Sequence, residues 1–292
     1  MIYKIVHRTI YKYKYPVSLG SHVACLKPRS IQRHILKQTE LAIKPSPASI
    51  TERVDYFGNH LCFFTVEEPH DQLVVEARSQ VVMEDSATSS SQPSPAWEEV
   101  VAALPRDQHP DAIEAFQFRF ESPRIRLKPD FAAYALQSFT PGRPLFDALL
   151  DLTARMHADF RFDSKVTTVR TPVEEVFEKR RGVCQDFAHI QIACLRSIHL
   201  AARYVSGYLR TYPPPGQPRL IGADASHAWV SCYCPGLGWL DVDPTNNVVP
   251  SNGHVTLAWG RDFSDVSPLH GLILGGGAHT LKVAVDLEAI ES

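Results

Sequence analysis

Three residues whose types combine in acyl-transfer enzymes lie in the second half of this 292-residue chain: Cys184, His227 and Asp243. A cysteine thiolate is a strong nucleophile, a histidine can remove the thiol proton, and a carboxylate can orient that histidine. The order cysteine, histidine, aspartate therefore supplies a nucleophile, a base and an orienting group. Little else in the sequence points to one reaction.

The segment around Cys184 favours a reactive cysteine. Apolar residues recur at helical spacing after it, which predicts a helix from about Cys184 to about His199. A helix N-terminus lowers the pKa of a thiol, and its first backbone N–H groups are unpaired and can donate to an oxyanion. Gly182, just before, suits a tight turn beside a substrate. A buried structural cysteine is the weaker interpretation in this context.

His227 and Asp243 are predicted on neighbouring strands. His227 lies near the start of a strand over 225–233, whose apolar face carries Ala228 and Val230, and Asp243 ends the strand after the following glycine turn. Neighbouring antiparallel strands can bring such a carboxylate beside the histidine, where it fixes the tautomer. Asp241 shares a face with Asp243 and competes for the orienting role on spacing alone.

The rest of the chain predicts an α+β protein. Strand patterns over 2–15, 36–43, 61–66 and 73–83 indicate an antiparallel N-terminal β-sandwich-like domain over 1–85. The serine- and proline-rich residues 86–95 are predicted to be a linker. Residues 96–292 are predicted to form the catalytic domain, with a core at about 150–250 and further strands at about 254–259 and 279–287.

Two local features are predicted near Cys184. A helix is expected to start at Thr171-Pro172, with Thr171 as its cap, and to end near Arg181-Gly182 with the glycine at its exit. A loop over 212–216 is expected to border the acyl-donor groove.

Composition and the lack of targeting signals limit the expected partners and cellular location. Hydrophobic residues make up 44% and charged residues 21%, and the net charge is −2, so neither nucleic acid nor an anionic membrane is an expected partner. No signal peptide or membrane span is apparent, and a cytoplasmic location with reduced cysteines is expected. The five cysteines other than Cys184 are expected to be buried apolar residues. No cofactor is implied, and Asp241, Asp262 and Asp265 match no calcium loop, so no metal is expected.

Four motifs together resemble the bacterial transglutaminase-like superfamily. They are Gly182-Val183-Cys184-Gln185-Asp186-Phe187-Ala188, Ala202-Arg203-Tyr204-Val205-Ser206-Gly207-Tyr208, His227-Ala228-Trp229-Val230 and Asp243-Pro244-Thr245-Asn246. The β-rich start of the chain and the segment from Gly260 to Pro268 also resemble parts of these proteins. The resemblance implies a papain-like core, in which a helix bearing Cys184 packs on an antiparallel sheet bearing His227 and Asp243. It also favours Asp243 over Asp241 and implies a thioester intermediate on a peptide or protein amide, with water or an amine as acceptor.

The chain departs from this family's pattern in one respect. Many members supply a second oxyanion donor from an aromatic residue upstream of the cysteine, but the nearest here are Phe160 and Phe162, which have no donor. Gln185 is the alternative candidate. On resemblance alone, His254 could line the site entrance, whereas His189 is expected at the surface.

A rival interpretation is a non-enzymatic protein- or peptide-binding module that retains the fold. Such a module would be expected to lose the cysteine or the histidine, and this chain keeps both, together with Asp243. The oligomeric state is left open by the sequence.

Overall fold

The computed structural model describes residues 1–84, 93–211 and 225–290. Two antiparallel sheets and a set of helices make up an α+β fold. The strands are β1 (Ile2–Ala24), β2 (His34–Lys44), β3 (Ser49–Val54), β4 (His60–Val66), β5 (His70–Met83), β6 (Arg161–Phe162), β7 (Arg181–Gly182), β8 (Ala202–Leu209), β9 (Ala225–Cys234), β10 (Gly238–Val242), β11 (His254–Gly260), β12 (Leu269–Gly275) and β13 (His279–Ile290). The helices are α1 (Trp97–Ala103), α2 (Pro110–Phe116), α3 (Pro129–Leu136), α4 (Leu145–Asp159), α5 (Val173–Lys179) and α6 (Cys184–Ser197).

The N-terminal sheet is organised around the 23-residue strand β1. Its first part pairs with β5 and β13, and its second part pairs with β4 and β12, with the register shifting between Lys12 and Val17. Apolar side chains from both parts, including Val17, Phe64 and Val75, share one core. The seven strands therefore form a sheet whose two parts enclose their own hydrophobic interior.

The central sheet has the strand order β10-β9-β8-β11. Helix α6 packs on it, because both elements are apolar where they meet: Ala188 and Ile192 of α6 share a core with Ala228 and Val230 of β9. Nearly every residue of α6 after its first turn is buried, which fixes the direction of the helix against the sheet.

A separate apolar cluster joins the two sheets. Tyr3 and Ile5 of β1 and Leu287 of β13 pack with Tyr208 of β8 and Val255 of β11. The sequence-based division assigned residues 96–292 to one domain, but β12 and β13 complete the N-terminal sheet. The end of the chain therefore returns to pair with its beginning.

The entry to α6 differs from the sequence-based prediction in two details. Helix α5 begins at Val173 after Pro172, and the Thr171 hydroxyl accepts from the Thr168 N–H at 2.9 Å instead of capping the helix. The left-handed residue that ends α5 is Arg180, with φ of 55°, and not a glycine.

Most of the predicted linker 86–95, and the predicted loop over 212–216, lie outside the described residues. Among the helices of the described ranges, none is long and apolar enough to cross a membrane.

Gly207 on β8 allows a close approach that the central sheet requires. A Cβ at this position would lie 2.3 Å from the Val255 carbonyl oxygen and 2.4 Å from the Trp229 ring. Gly207→Ala is therefore expected to destabilise the protein by about 1–3 kcal/mol through overpacking. Urea unfolding measures this change.

Gly253→Ala is the matched control, because a Cβ there would enter open space. It is expected to change the unfolding free energy by no more than about 0.5 kcal/mol. Equal effects of the two substitutions would contradict the packing argument.

Candidate active site

Cys184 is the first residue of α6, as its sequence context predicts. The preceding turn is held by Asp186, whose Oδ2 accepts from the Val183 N–H at 2.9 Å and from the Thr167 hydroxyl at 2.7 Å. Burial raises the pKa of Asp186, and the hydrogen bonds from Val183 and Thr167 act against that rise. Asp186 therefore holds the backbone of the turn that precedes Cys184.

Gly182 is required next to this turn for a reason other than its backbone angle. A Cβ on Gly182 would lie 2.6 Å from Asp186 Oδ2 and 3.0 Å from a methyl group of Val176. The absence of a side chain lets the parallel pair β6 and β7 lead closely into α6. All six cysteines are free thiols, and Cys184 is the one that is not buried.

His227 and Asp243 contact each other next to Cys184. His227 Nε2 donates to Asp243 Oδ2 at 2.7 Å, and both side chains are almost entirely buried. His227 also lies close enough to Cys184 for the thiol to contribute to the raised pKa of the histidine. With Nε2 engaged by the carboxylate, Nδ1 is the ring nitrogen left for the thiol. The structure thus brings the three predicted residues together at one site.

The electrostatic surroundings of His227 and Asp243 favour a protonated imidazole and an ionised carboxylate. Burial lowers the pKa of His227, but the interactions with Asp243 and Cys184 outweigh burial and raise it to about 10. Burial also raises the pKa of Asp243, yet hydrogen bonds from His227 and His254 hold that pKa well below its usual range. An imidazolium beside a carboxylate is therefore the stable form at neutral pH.

Asp241, the competing carboxylate, makes its contacts with residues other than His227. Its Oδ2 pairs with the Arg33 guanidinium and accepts from Trp229 Nε1 at 3.3 Å. Arg33 lies in the loop between β1 and β2, so Asp241 connects the N-terminal sheet to the central sheet. Asp243, not Asp241, contacts the histidine.

Two further residues complete the surroundings of Asp243. Asn246 donates its side-chain N–H to Asp243 Oδ2 at 2.7 Å, and His254 Nε2 lies 3.2 Å from the same oxygen. Thr245 and Asn246 donate backbone N–H groups to Oδ1 at 2.9 and 3.3 Å. The sequence motif included Asn246 without a role, and His254 was expected only to line the entrance. No local sequence pattern could indicate the contact between His254 and Asp243, because β11 reaches β9 only across β8.

His227, Asp243 and His254 place three potential metal ligands within 4.8 Å of one another. Tetrahedral zinc with ligand bonds near 2.0–2.1 Å spaces its ligand atoms roughly 3.3 Å apart. The 2.7 Å between His227 and Asp243 is a hydrogen-bond distance, and the Asn246 amide approaches the same oxygen. The cluster fits a hydrogen-bonded network better than a metal centre.

His189 is buried, contrary to the expectation that it lies at the surface. Its Nε2 accepts from the Phe263 N–H at 3.1 Å, and its ring packs against Tyr204 at 5.0 Å between centroids. Burial lowers the pKa of His189, so it is neutral and can accept this bond. It fixes α6 to the segment after β11.

The aromatic residues upstream of Cys184 have structural positions. Phe160 is buried against Phe187 of α6 at 5.8 Å between centroids, whereas Phe162 is exposed on β6. Gln185 follows Cys184 in the first turn of α6 and is partly buried. Tyr204 is buried, and burial together with the charges of Cys184 and Asp186 raises its pKa, so its hydroxyl stays protonated.

Comparison with known proteins agrees with this architecture. A sequence model of the bacterial transglutaminase-like N-terminal region matches residues 3–82, and one of the transglutaminase-like superfamily matches residues 133–244. An uncharacterized protein of Mycobacterium tuberculosis is 38% identical, with 99% of this chain and 93% of that protein covered. The chain belongs to the transglutaminase-like superfamily.

Two other similarities extend this result. A crystal structure described as a putative cysteine protease from Cytophaga hutchinsonii has a TM-score of 0.76 at 21% identity, covering 100% of this chain and 92% of that one, which shows a shared fold. A protein-glutamine gamma-glutamyltransferase of Pseudomonas aeruginosa is 30% identical over 128 residues, which cover 37% of this chain and 19% of that protein.

The charge on Asp243 should control the protonation of His227. Asp243→Asn removes this charge, so burial should dominate and lower the pKa of His227 from about 10 to 6.5 or below. A raised histidine pKa stabilises the folded protein fully below about pH 6.5, and that contribution is lost as the pH rises through about 10. Nuclear magnetic resonance titration of the His227 ring measures the shift.

Asp241→Asn is the matched control, because it removes the charge of the neighbouring carboxylate that does not contact His227, while the asparagine oxygen can still accept from Trp229. It is expected to leave the His227 titration close to that of the unmodified protein. An equal shift in both variants would refute the assignment of Asp243 as the partner of His227.

Proposed function

We propose that this protein is a cysteine-dependent acyl-transfer enzyme acting on amide bonds, with Cys184 as nucleophile, His227 as base and then acid, and Asp243 as orienting group. The observation that carries the proposal is the position of His227, which is paired with the buried carboxylate of Asp243 and lies next to Cys184. This arrangement matches the requirements of an activated thiol nucleophile.

The proposed reaction has two balanced steps. The Cys184 sulfur attacks the amide carbonyl carbon, and His227 holds the thiol proton and gives it to the departing amine, which leaves a thioester. Water or an amine then attacks the thioester, His227 takes its proton, and the thiolate is released as the new acyl product forms. Asp243 stays ionised in both steps and holds the imidazole in one orientation.

The oxyanion of each step requires donors close to the sulfur. The first backbone N–H groups of α6 have no intrahelical partner, and those of Cys184 and Gln185 lie at the end of the helix where the sulfur is. The positive end of the helix dipole also favours negative charge there. Backbone donors are therefore proposed in place of the donor that Phe160 and Phe162 lack.

A peptide or protein amide is the proposed acyl donor. The similarity to a protein-glutamine gamma-glutamyltransferase supports an amine as a second acceptor beside water. Hydrolysis and transamidation share the same three residues and differ in what reaches the thioester.

Alkylation with iodoacetamide separates an enzyme from a binding module. Cys184 is expected to react fast and selectively at neutral pH, because it is partly exposed beside His227 while the other five cysteines are buried. Peptide mapping by mass spectrometry identifies the labelled thiol. Slow labelling of Cys184 at a rate like that of the other five would favour the binding module.

Profiling with peptide amides and amines tests the activity itself. On any substrate found, Cys184→Ala is expected to lower kcat by several orders of magnitude, about 10⁶-fold for a lost nucleophile. Cys62→Ala, which removes a thiol of the N-terminal sheet, is expected to retain activity. Unchanged turnover in Cys184→Ala would overturn the proposal.

A further inference from the structure

His254 stands outside the three proposed catalytic residues but contacts the same carboxylate. It begins β11 and is 5% exposed. Its Nδ1 accepts from the Ser251 N–H at 3.4 Å. A backbone N–H can only donate, so Nδ1 is unprotonated and the ring proton lies on Nε2. His254 Nε2–H therefore donates to Asp243 Oδ2, at 3.2 Å.

Asp243 Oδ2 is consequently shared by three donors from three segments. They are His227 on β9, Asn246 in the turn after β10 and His254 on β11. Because Asp243 is fully buried, no water competes for these positions, and the donors alone determine how the carboxylate is turned. Removing the His254 donor leaves Oδ2 with two of its three donors, so the carboxylate is held less firmly in the orientation that faces His227.

The ring of His254 is itself held in place by residues remote from the thiol. Trp229 meets it edge to face at 5.3 Å, and Trp229 is anchored through Nε1 to Asp241. Arg33 pairs with Asp241 and also donates to the Pro250 carbonyl at 2.6 Å, in the loop that leads to His254. The position of His254 is thus determined by the Trp229 ring and by the loop that precedes β11.

We propose that His254 is a positioning residue that acts through Asp243: its Nε2–H holds the carboxylate in the orientation that pairs with His227. This inference rests on the proposed function of Cys184, His227 and Asp243. The titratable groups in direct contact with His254 are His227 on β9 and Asp243 after β10. Asp241 and Arg33 act on it through Trp229 and through the loop before β11.

The test is the pH dependence of Cys184 alkylation by iodoacetamide, compared between His254→Phe and His254→Gln. Phenylalanine keeps a ring for Trp229 but cannot donate, whereas the glutamine amide can reach Asp243 and donate. In His254→Phe, the alkylation rate at neutral pH is expected to fall about 10- to 100-fold, the effect of a lost hydrogen bond to a charged group. The midpoint of thiolate formation should also move to higher pH, because the imidazolium loses its aligned partner.

His254→Gln is expected to restore the rate and the midpoint to near those of the unmodified protein. A purely structural role of His254 would lower the free energy of unfolding measured in urea without moving the pH midpoint of thiolate formation. A folded His254→Phe with an unchanged profile would overturn the proposal, and so would a folded His254→Gln that shifts as far as His254→Phe. Should His254→Phe not fold, His254→Asn replaces it, because its shorter amide cannot reach Asp243.

A double-mutant cycle tests the route through Asp243. In an Asp243→Ala background, His254→Phe is expected to have no further effect on the alkylation rate. An effect as large as in the native background would show that His254 acts by another path and would overturn the inference. Failure of the proposed function would appear earlier, as slow alkylation of Cys184 in the unmodified protein.

Discussion

The buried charge of Asp243 is the constraint that the site depends on. An ionised carboxylate without solvent contact is very costly unless it is fully hydrogen-bonded. Asp243 satisfies this requirement with five hydrogen bonds, from His227, His254, Thr245 and both N–H-bearing groups of Asn246. Their donors come from β9, β11 and the turn after β10, so these segments must be in register before the charge can be buried.

The same requirement explains why the N-terminal sheet belongs to the functional unit. Gly207 leaves room for the Trp229 ring, which contacts His254 and donates to Asp241. Arg33, from the loop after β1, neutralises Asp241 and holds the loop before His254. Arg33, in the first part of the chain, thereby supports the contact between His254 and Asp243 in the second part. The pairing of β13 with β1 keeps the two parts together.

Local features were readable from the sequence, and non-local ones were not. The start of α6 at Cys184, the strand of His227 and the strand β10 that ends just before Asp243 follow from periodicity and turn residues, which act within a few positions. Strand β3 was missed because all its residues are exposed and no alternation marks it. His189 was placed at the surface because sequence spacing shows its angle on α6 but not the segment after β11 that covers it. The contact of His254 with Asp243 could be predicted only from the order of the strands in the central sheet.

For the proposed function, the distribution of burial determines the side from which a substrate reaches Cys184. His227 and Asp243 are enclosed, while Cys184 is partly exposed at the first turn of α6. An acyl group that reaches the sulfur from that side arrives where the helix presents its unpaired backbone N–H groups. In the proposed reaction, the nucleophile and the oxyanion donors are both positioned by the start of α6, which Asp186 holds through the Val183 N–H. Because a side chain on Gly182 would collide with the Asp186 carboxylate, the proposed reaction depends on this glycine for the geometry of the turn before Cys184.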